Sequence, residues 1–204
     1  MHEEMESIRA LLIRVKNILI RPRDEWRVIR DEPETYSGII FRYVAILAAI
    51  PPAAAVIDGI VFNSPTPQIA LLSSLSRLLL QNVMWYCISI MNVVITGAII
   101  TAVVTASESR WDALRGLKIA AYSFTPLFVA GVLAVIPGMN WIVYAAILYS
   151  VYLVYLGIIG LAATGKKQAI GYAMASFLSA SVFLGIMNLF EYFFETTLLN
   201  KIVS

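Results

Sequence analysis

Residues 160–167, Gly160-Leu-Ala-Ala-Thr-Gly165-Lys166-Lys167, imitate the phosphate-cradling loop G-x-x-x-x-G-K-[ST]. The imitation fails where chemistry needs it. Position 167 must offer a hydroxyl to magnesium and carries lysine, and the preceding residues form an apolar run with no strand character. His2 is the only histidine, so serine triads and histidine-based metal sites have no raw material. Glu191 and Glu195 share a helix face by their spacing; they read as a solvated helix end, with cation capture as the sharper alternative. The single cysteine, Cys87, forms no intrachain disulfide and reads as a small packing residue. Catalytic, cofactor and metal sites are therefore all expected to be absent.

Polar groups inside apolar runs carry more information. Arg42 and Asp58 sit near the two ends of one run, about 24 Å apart along a helix, too far to pair. Both read as anchors that snorkel to a membrane surface, against a buried polar role. Pro51-Pro52 deprives the carbonyls of Leu47 and Ala48 of their helical donors, and Pro126 does the same to Tyr122, with Ser123 and Thr125 beside it as compensating hydroxyls. Broken helices of this kind line transporter cavities in some folds. Asn82, Asn92, Ser123, Thr125 and Tyr152 would be the polar lining here, with a structural kink as the simpler account.

These residues must be positioned by helices that cross a bilayer. The chain is 60% hydrophobic and 14% charged, well below the charge of a soluble domain. A crossing takes about 20 apolar residues. Residues 38–62 supply one and 83–104 a second, inside an uncharged run at 78–107. The uncharged run 119–165 is too long for one crossing, and Pro137-Gly138 divides it into a third and a fourth. A fifth occupies 168–190. Only helices satisfy the backbone in lipid at these lengths, so the fold is all-α. A secretory signal peptide is not apparent; the first run reads as a signal anchor.

The basic residues orient the bundle. Seven of the 15 lysines and arginines fall in residues 1–37, three (Arg110, Arg115, Lys118) between spans two and three, and Lys166 and Lys167 between four and five. The other connections hold Arg77 and the tail Lys201. An excess of cations marks cytoplasmic loops, so the N-terminus is expected inside and the C-terminus outside, in a multi-pass protein of a prokaryotic cell membrane. The expected division is a cytoplasmic segment at 1–37, a membrane domain at 38–190 and an outer tail at 191–204.

Three flanking pieces complete the reading. Residues 5–20 place Ile8, Leu11, Leu12, Val15, Ile18 and Leu19 on one helical face against Arg9, Arg14 and Lys16. Such a helix suits an anionic leaflet, with Arg9, Arg14 and Lys16 as lipid contacts; packing on the bundle's cytoplasmic mouth is the equal alternative. Ser109-Arg110-Trp111-Asp112 reads as a capping box that starts helix three near Arg110. Leu71, Leu75, Leu78 and Leu79 suggest a short outer interfacial helix. Gly171, Ala175 and Ser179, and Gly157 with Gly160, offer close-packing faces, within one chain first and between copies second. Tyr149 and Tyr152 lie deep enough to need hydroxyl partners within the bundle.

Two segments bring a family resemblance. Residues 20–29, with Pro22 and Trp26, precede the first span; Tyr122-Ser123-Phe124-Thr125-Pro126 lies in the third, followed by Tyr155-Leu156-Gly157 in the fourth. Together they resemble the prokaryotic branch of the Ypt-interacting protein (Yip) family of five-span membrane proteins. The resemblance implies architectural roles for Pro22, Trp26, Tyr122, Pro126 and Gly157. Eukaryotic relatives are tied to membrane trafficking through Rab GTPases, a role that does not carry over without their cytoplasmic extension. The expected function is non-enzymatic organisation of membrane lipid or a protein partner, with a solute or ion pathway as the alternative. Membrane lipids and a second copy of the chain are the expected partners, and nucleic acid is not one.

Overall fold

The computed structural model describes residues 2–61, 68–106, 111–134, 136, 138–139, 141–161, 168–175, 177–178 and positions 181, 185, 189, 192 and 196. All regular structure among them is helical. Helices α1 (His2–Ile20) and α2 (Pro22–Asp31) form a hairpin ahead of the first apolar run. Four stretches are long and apolar enough to cross a bilayer: Gly38–Asp58, Leu78–Thr105, Ala113–Leu133 and Trp141–Leu161. The fifth expected span, 168–190, is described in part. Its described positions, 168–175, 177–178, 181, 185 and 189, are helical, and Ala169 and Ala173 join the core.

Span 1 is built in three pieces: a π-helical stretch Gly38–Val44, α3 (Ala45–Ala48) and α4 (Ile50–Val61). The break at Ala49 precedes Pro51-Pro52, as the lost amides require. Gly131 of span 3 receives that kink: a Cβ there would lie 2.5 Å from Pro51 Cγ. The bend is thus a packing joint between spans 1 and 3. Span 2 belongs to one unbroken helix, α5 (Gln68–Thr105), so no separate interfacial helix precedes it. At 38 residues it is about 57 Å long, more than a bilayer core needs. The leucines at 71, 75, 78 and 79 continue the helical period of the span, which is why the two merge.

Span 3 comprises α6 (Ala113–Ser123) and α7 (Thr125–Ala134). Its start corrects the expected capping box. Asp112 is itself the N-cap, with its carboxylate accepting from Leu114 N at 3.1 Å, and the helix begins three residues later than Arg110. The carbonyl of Tyr122, freed by Pro126, accepts from Thr125 Oγ1 at 2.8 Å. Gly138, with φ of 83°, makes the left-handed turn into span 4, α8 (Trp141–Leu161). Span 3 is 72% buried, against 28–39% for the other three, so it is the post around which they pack. Close approach of span 2 rests on Gly97 and Gly116: a Cβ on Gly116 would meet Gly97 O at 2.5 Å. Cys87 is exposed on α5 and packs into no core.

Candidate functional site at one end of the bundle

The hairpin docks by splitting its apolar face. Leu11, Val15 and Ile18 turn to the bundle, with Ile18 fully buried, while Ile8 and Leu12 are exposed. α2 then starts with Pro22 as its first residue, where a missing amide costs nothing. Trp26 and Ile29 are buried one turn apart on the face turned to α6 and α8. The Trp26 ring meets Tyr122 edge-on, centroids 6.3 Å apart and planes at 82°. Gly157 makes room for it: a Cβ there would lie 2.9 Å from Trp26 Cη2. The three residues, distant in sequence, therefore form one contact.

Tyr122 extends this contact inward and outward. Inward, it packs edge-on against Tyr43 at 4.7 Å, on the π-helical stretch. Tyr43 Oη and Thr125 Oγ1 lie 2.7 Å apart. Thr125 already gives its proton to Tyr122 O, so Tyr43 must donate. Outward, the Arg14 guanidinium stands 5.6 Å from the Tyr122 ring centroid. It donates to Glu25 Oε1 at 2.6 Å and is also paired with Glu32. Burial works against its charge, but Tyr122, Glu32 and Glu25 outweigh that and hold its pKa above the ordinary arginine value. Arg14 is thus turned inward, unlike Arg9 and Lys16, which are exposed.

Two further ties hold the hairpin, one from Lys118, which the sequence showed only as a loop cation, and one from Tyr149, whose hydroxyl was expected to need a partner. Lys118 is buried, and its Nζ donates to Ile29 O at 2.8 Å and Glu32 O at 2.6 Å. A cation there takes up free carbonyls at the C-terminal end of α2 and meets the negative end of its dipole. Tyr149 Oη donates to Leu19 O at 2.9 Å, fixing the last turn of α1 to α8. Only the folded hairpin shows that both partners are carbonyls at helix ends. Trp26 Nε1 and Ser123 Oγ, both buried, lack hydrogen-bond partners among the described residues.

The five residues expected to line a polar cavity are not gathered into one. Ser123 and Thr125 are fully buried beside the aromatic contact. Asn92, also buried, lies on α5 and accepts weakly from Thr96 at 3.5 Å. Tyr152 stacks near Tyr149 at 5.8 Å. Asn82 donates to its own Leu78 O at 2.8 Å and lines a pocket of about 540 Å³ with Pro51, Pro52, Asp58, Gln81 and Ser89. Arg42 is exposed at the other end, beside a pocket of about 640 Å³. Among the described residues no group of three His, Cys, Asp or Glu could hold a metal.

The architecture is that of an integral membrane protein: apolar crossing helices with an N-terminal hairpin bolted to one end. Residues 16–187 match the Yip1 domain, and the chain belongs to that family. It is 29% identical over 179 residues to "Inner membrane protein YohC" of Escherichia coli strain K12, covering 85% of this chain and 88% of that one. The protein of the same name from E. coli O6:H1 strain CFT073 matches equally. No solved structure matches the chain.

Proposed function

We propose that this protein is a non-enzymatic organiser of membrane lipid in a prokaryotic cytoplasmic membrane, with the α1–α2 hairpin as its working surface on the cytoplasmic side. The observation that carries this reading is the rigid attachment of a cationic hairpin to the bundle. Trp26, Arg14, Lys118 and Tyr149 hold it in place, while Arg9, Lys16, Arg21, Arg23, Arg27 and Arg30 remain exposed. A fixed array of cations attracts anionic headgroups at about 1 kcal/mol each at most. The excess of basic residues on that side supports an inward N-terminus, and the inner-membrane naming of the relative supports the location.

The test uses the full chain in bilayers mixing phosphatidylcholine and phosphatidylglycerol, with spin-labelled lipids reporting which species lines the protein. The expected result is a several-fold preference for phosphatidylglycerol that falls in the variant R9Q/K16Q/R21Q. Equal preference for both lipids in the wild type would overturn the reading. A solute pathway is the second reading, favoured by the pocket at Pro51-Pro52 with its Asp58, Gln81 and Asn82 lining. Solute flux into proteoliposomes that disappears in N82A would establish it instead.

A further inference from the structure

The hairpin reaches along α8 and does not merely rest on its end. Leu19 O is bonded to Tyr149, twelve residues before the last residue of α8, or about 18 Å along its axis. Trp26 meets Gly157, only four residues from that end. The first turn of α2 therefore lies beside a deeper part of a membrane-spanning helix than its last turn does. Along it, Arg23, Arg27 and Arg30 recur at i, i+4 and i+7, one exposed stripe about 10 Å long. The stripe rims a groove of about 460 Å³ whose other wall is Tyr155, Leu156 and Ile159 of α8.

This arrangement calls for an anion with an apolar body. A guanidinium at membrane depth costs several kcal/mol unless it is hydrated or paired. Arg27 has a loose exposed pair with Asp24 at 3.6 Å and Arg30 one with Asp31 at 2.9 Å, while Arg23 has no ion pair among the described residues. Exposed pairs of this kind are weak and yield readily to a better partner. A phosphodiester offers oxygens that fit arginine forks. Leu156 and Ile159 give a free phosphate nothing, whereas an acyl chain lies naturally along them.

We propose that the groove between α2 and α8 seats one anionic phospholipid, its phosphate on Arg23, Arg27 and Arg30 and a chain along Leu156 and Ile159. This rests on the lipid-organising reading above and narrows it to a single site. The full chain, reconstituted with dioleoylphosphatidylglycerol and re-extracted into mild detergent, is examined by native mass spectrometry. One retained lipid per chain is expected. Its occupancy should fall on the order of tenfold in R23Q/R27Q/R30Q and less in the lysine triple variant. Unchanged retention in the glutamine triple variant would overturn the site, as would no retention in the wild type. Displacement by millimolar glycerol 3-phosphate as effective as by the lipid would overturn the lipid as occupant. If retention fails while the bilayer preference for phosphatidylglycerol persists, the seat is wrong and the broader reading stands; loss of both removes the reading itself. Intact helical circular dichroism of the triple variant excludes misfolding, since all three arginines are exposed.

Discussion

The two halves of the bundle treat their polar groups differently. At the hairpin end, polar side chains reach across between helices: Arg14 to Glu25, Lys118 to α2, Tyr43 to Thr125, Tyr149 to α1. In the opposite half, around Pro51 and Asp58, the side chains of Asn82 and Ser89 turn back to their own helix, donating to Leu78 O and Trp85 O. Interhelical bonds fix one arrangement of helices, whereas a bond within one helix fixes nothing about its neighbours. The hairpin end is therefore built to hold a shape, a constraint that the bonds of Asn82 and Ser89 do not place on their neighbouring spans.

The largest test of this contrast is W26A. It empties a fully buried indole site between three helices and should cost about 3–5 kcal/mol. The readout is the unfolding midpoint in mixed detergent micelles. G157L should destabilise by a similar route, because its side chain claims the space of the Trp26 ring. If both variants unfold with the wild type, the hairpin is not anchored as described.

R14A comes next. It leaves the buried Glu25 carboxylate without its guanidinium, and a fully buried broken pair costs about 3–5 kcal/mol. Arg14 and Glu32 are partly exposed, so about 2 kcal/mol is expected after screening. The pairing itself is isolated by a double-mutant cycle with E25Q, where R14A should cost much less. Additive effects would show that Arg14 acts through Glu32 and its packing on Tyr122 and not through Glu25.

How much of this was legible in the chain follows from the same contrast. Helices, four of the spans, the turn at Gly138 and the residues Trp26, Tyr122 and Gly157 all announce themselves by type, period or order. The inward turn of Arg14 and Lys118 does not, because a count of loop cations treats every arginine and lysine alike. Both lie on faces that become interior only once the hairpin folds back on α6 and α8. The residues expected to line a polar cavity lie on different contacts: Thr125 bonds Tyr43 and Tyr122 O beside the aromatic cluster, whereas Asn82 bonds Leu78 O of its own helix. Cys87, exposed on α5, shows that apolar composition sets the helix, not which face meets protein.

K118M sharpens the comparison further. The methionine fills the same channel yet donates nothing, so carbonyls at the end of α2 lose their cation while packing is kept. About 1–2 kcal/mol is expected. Amide exchange in residues 27–32 should speed up while exchange in α8 does not. Uniform acceleration across both would mean that Lys118 stabilises the bundle as a whole.

The smallest effect should come from N82A, and it is the control that gives the others meaning. Asn82 is half-buried, lines the far pocket, and donates back to Leu78 O, a carbonyl of its own helix. Removing the amide returns that carbonyl to its ordinary helical bond and leaves the neighbouring span untouched. Alanine also has the better helix propensity, by a few tenths of a kcal/mol. The midpoint should therefore move by less than about 0.5 kcal/mol in either direction. A loss comparable to R14A would show that Asn82 bridges spans 1 and 2, and the difference between the two halves of the molecule would disappear with it.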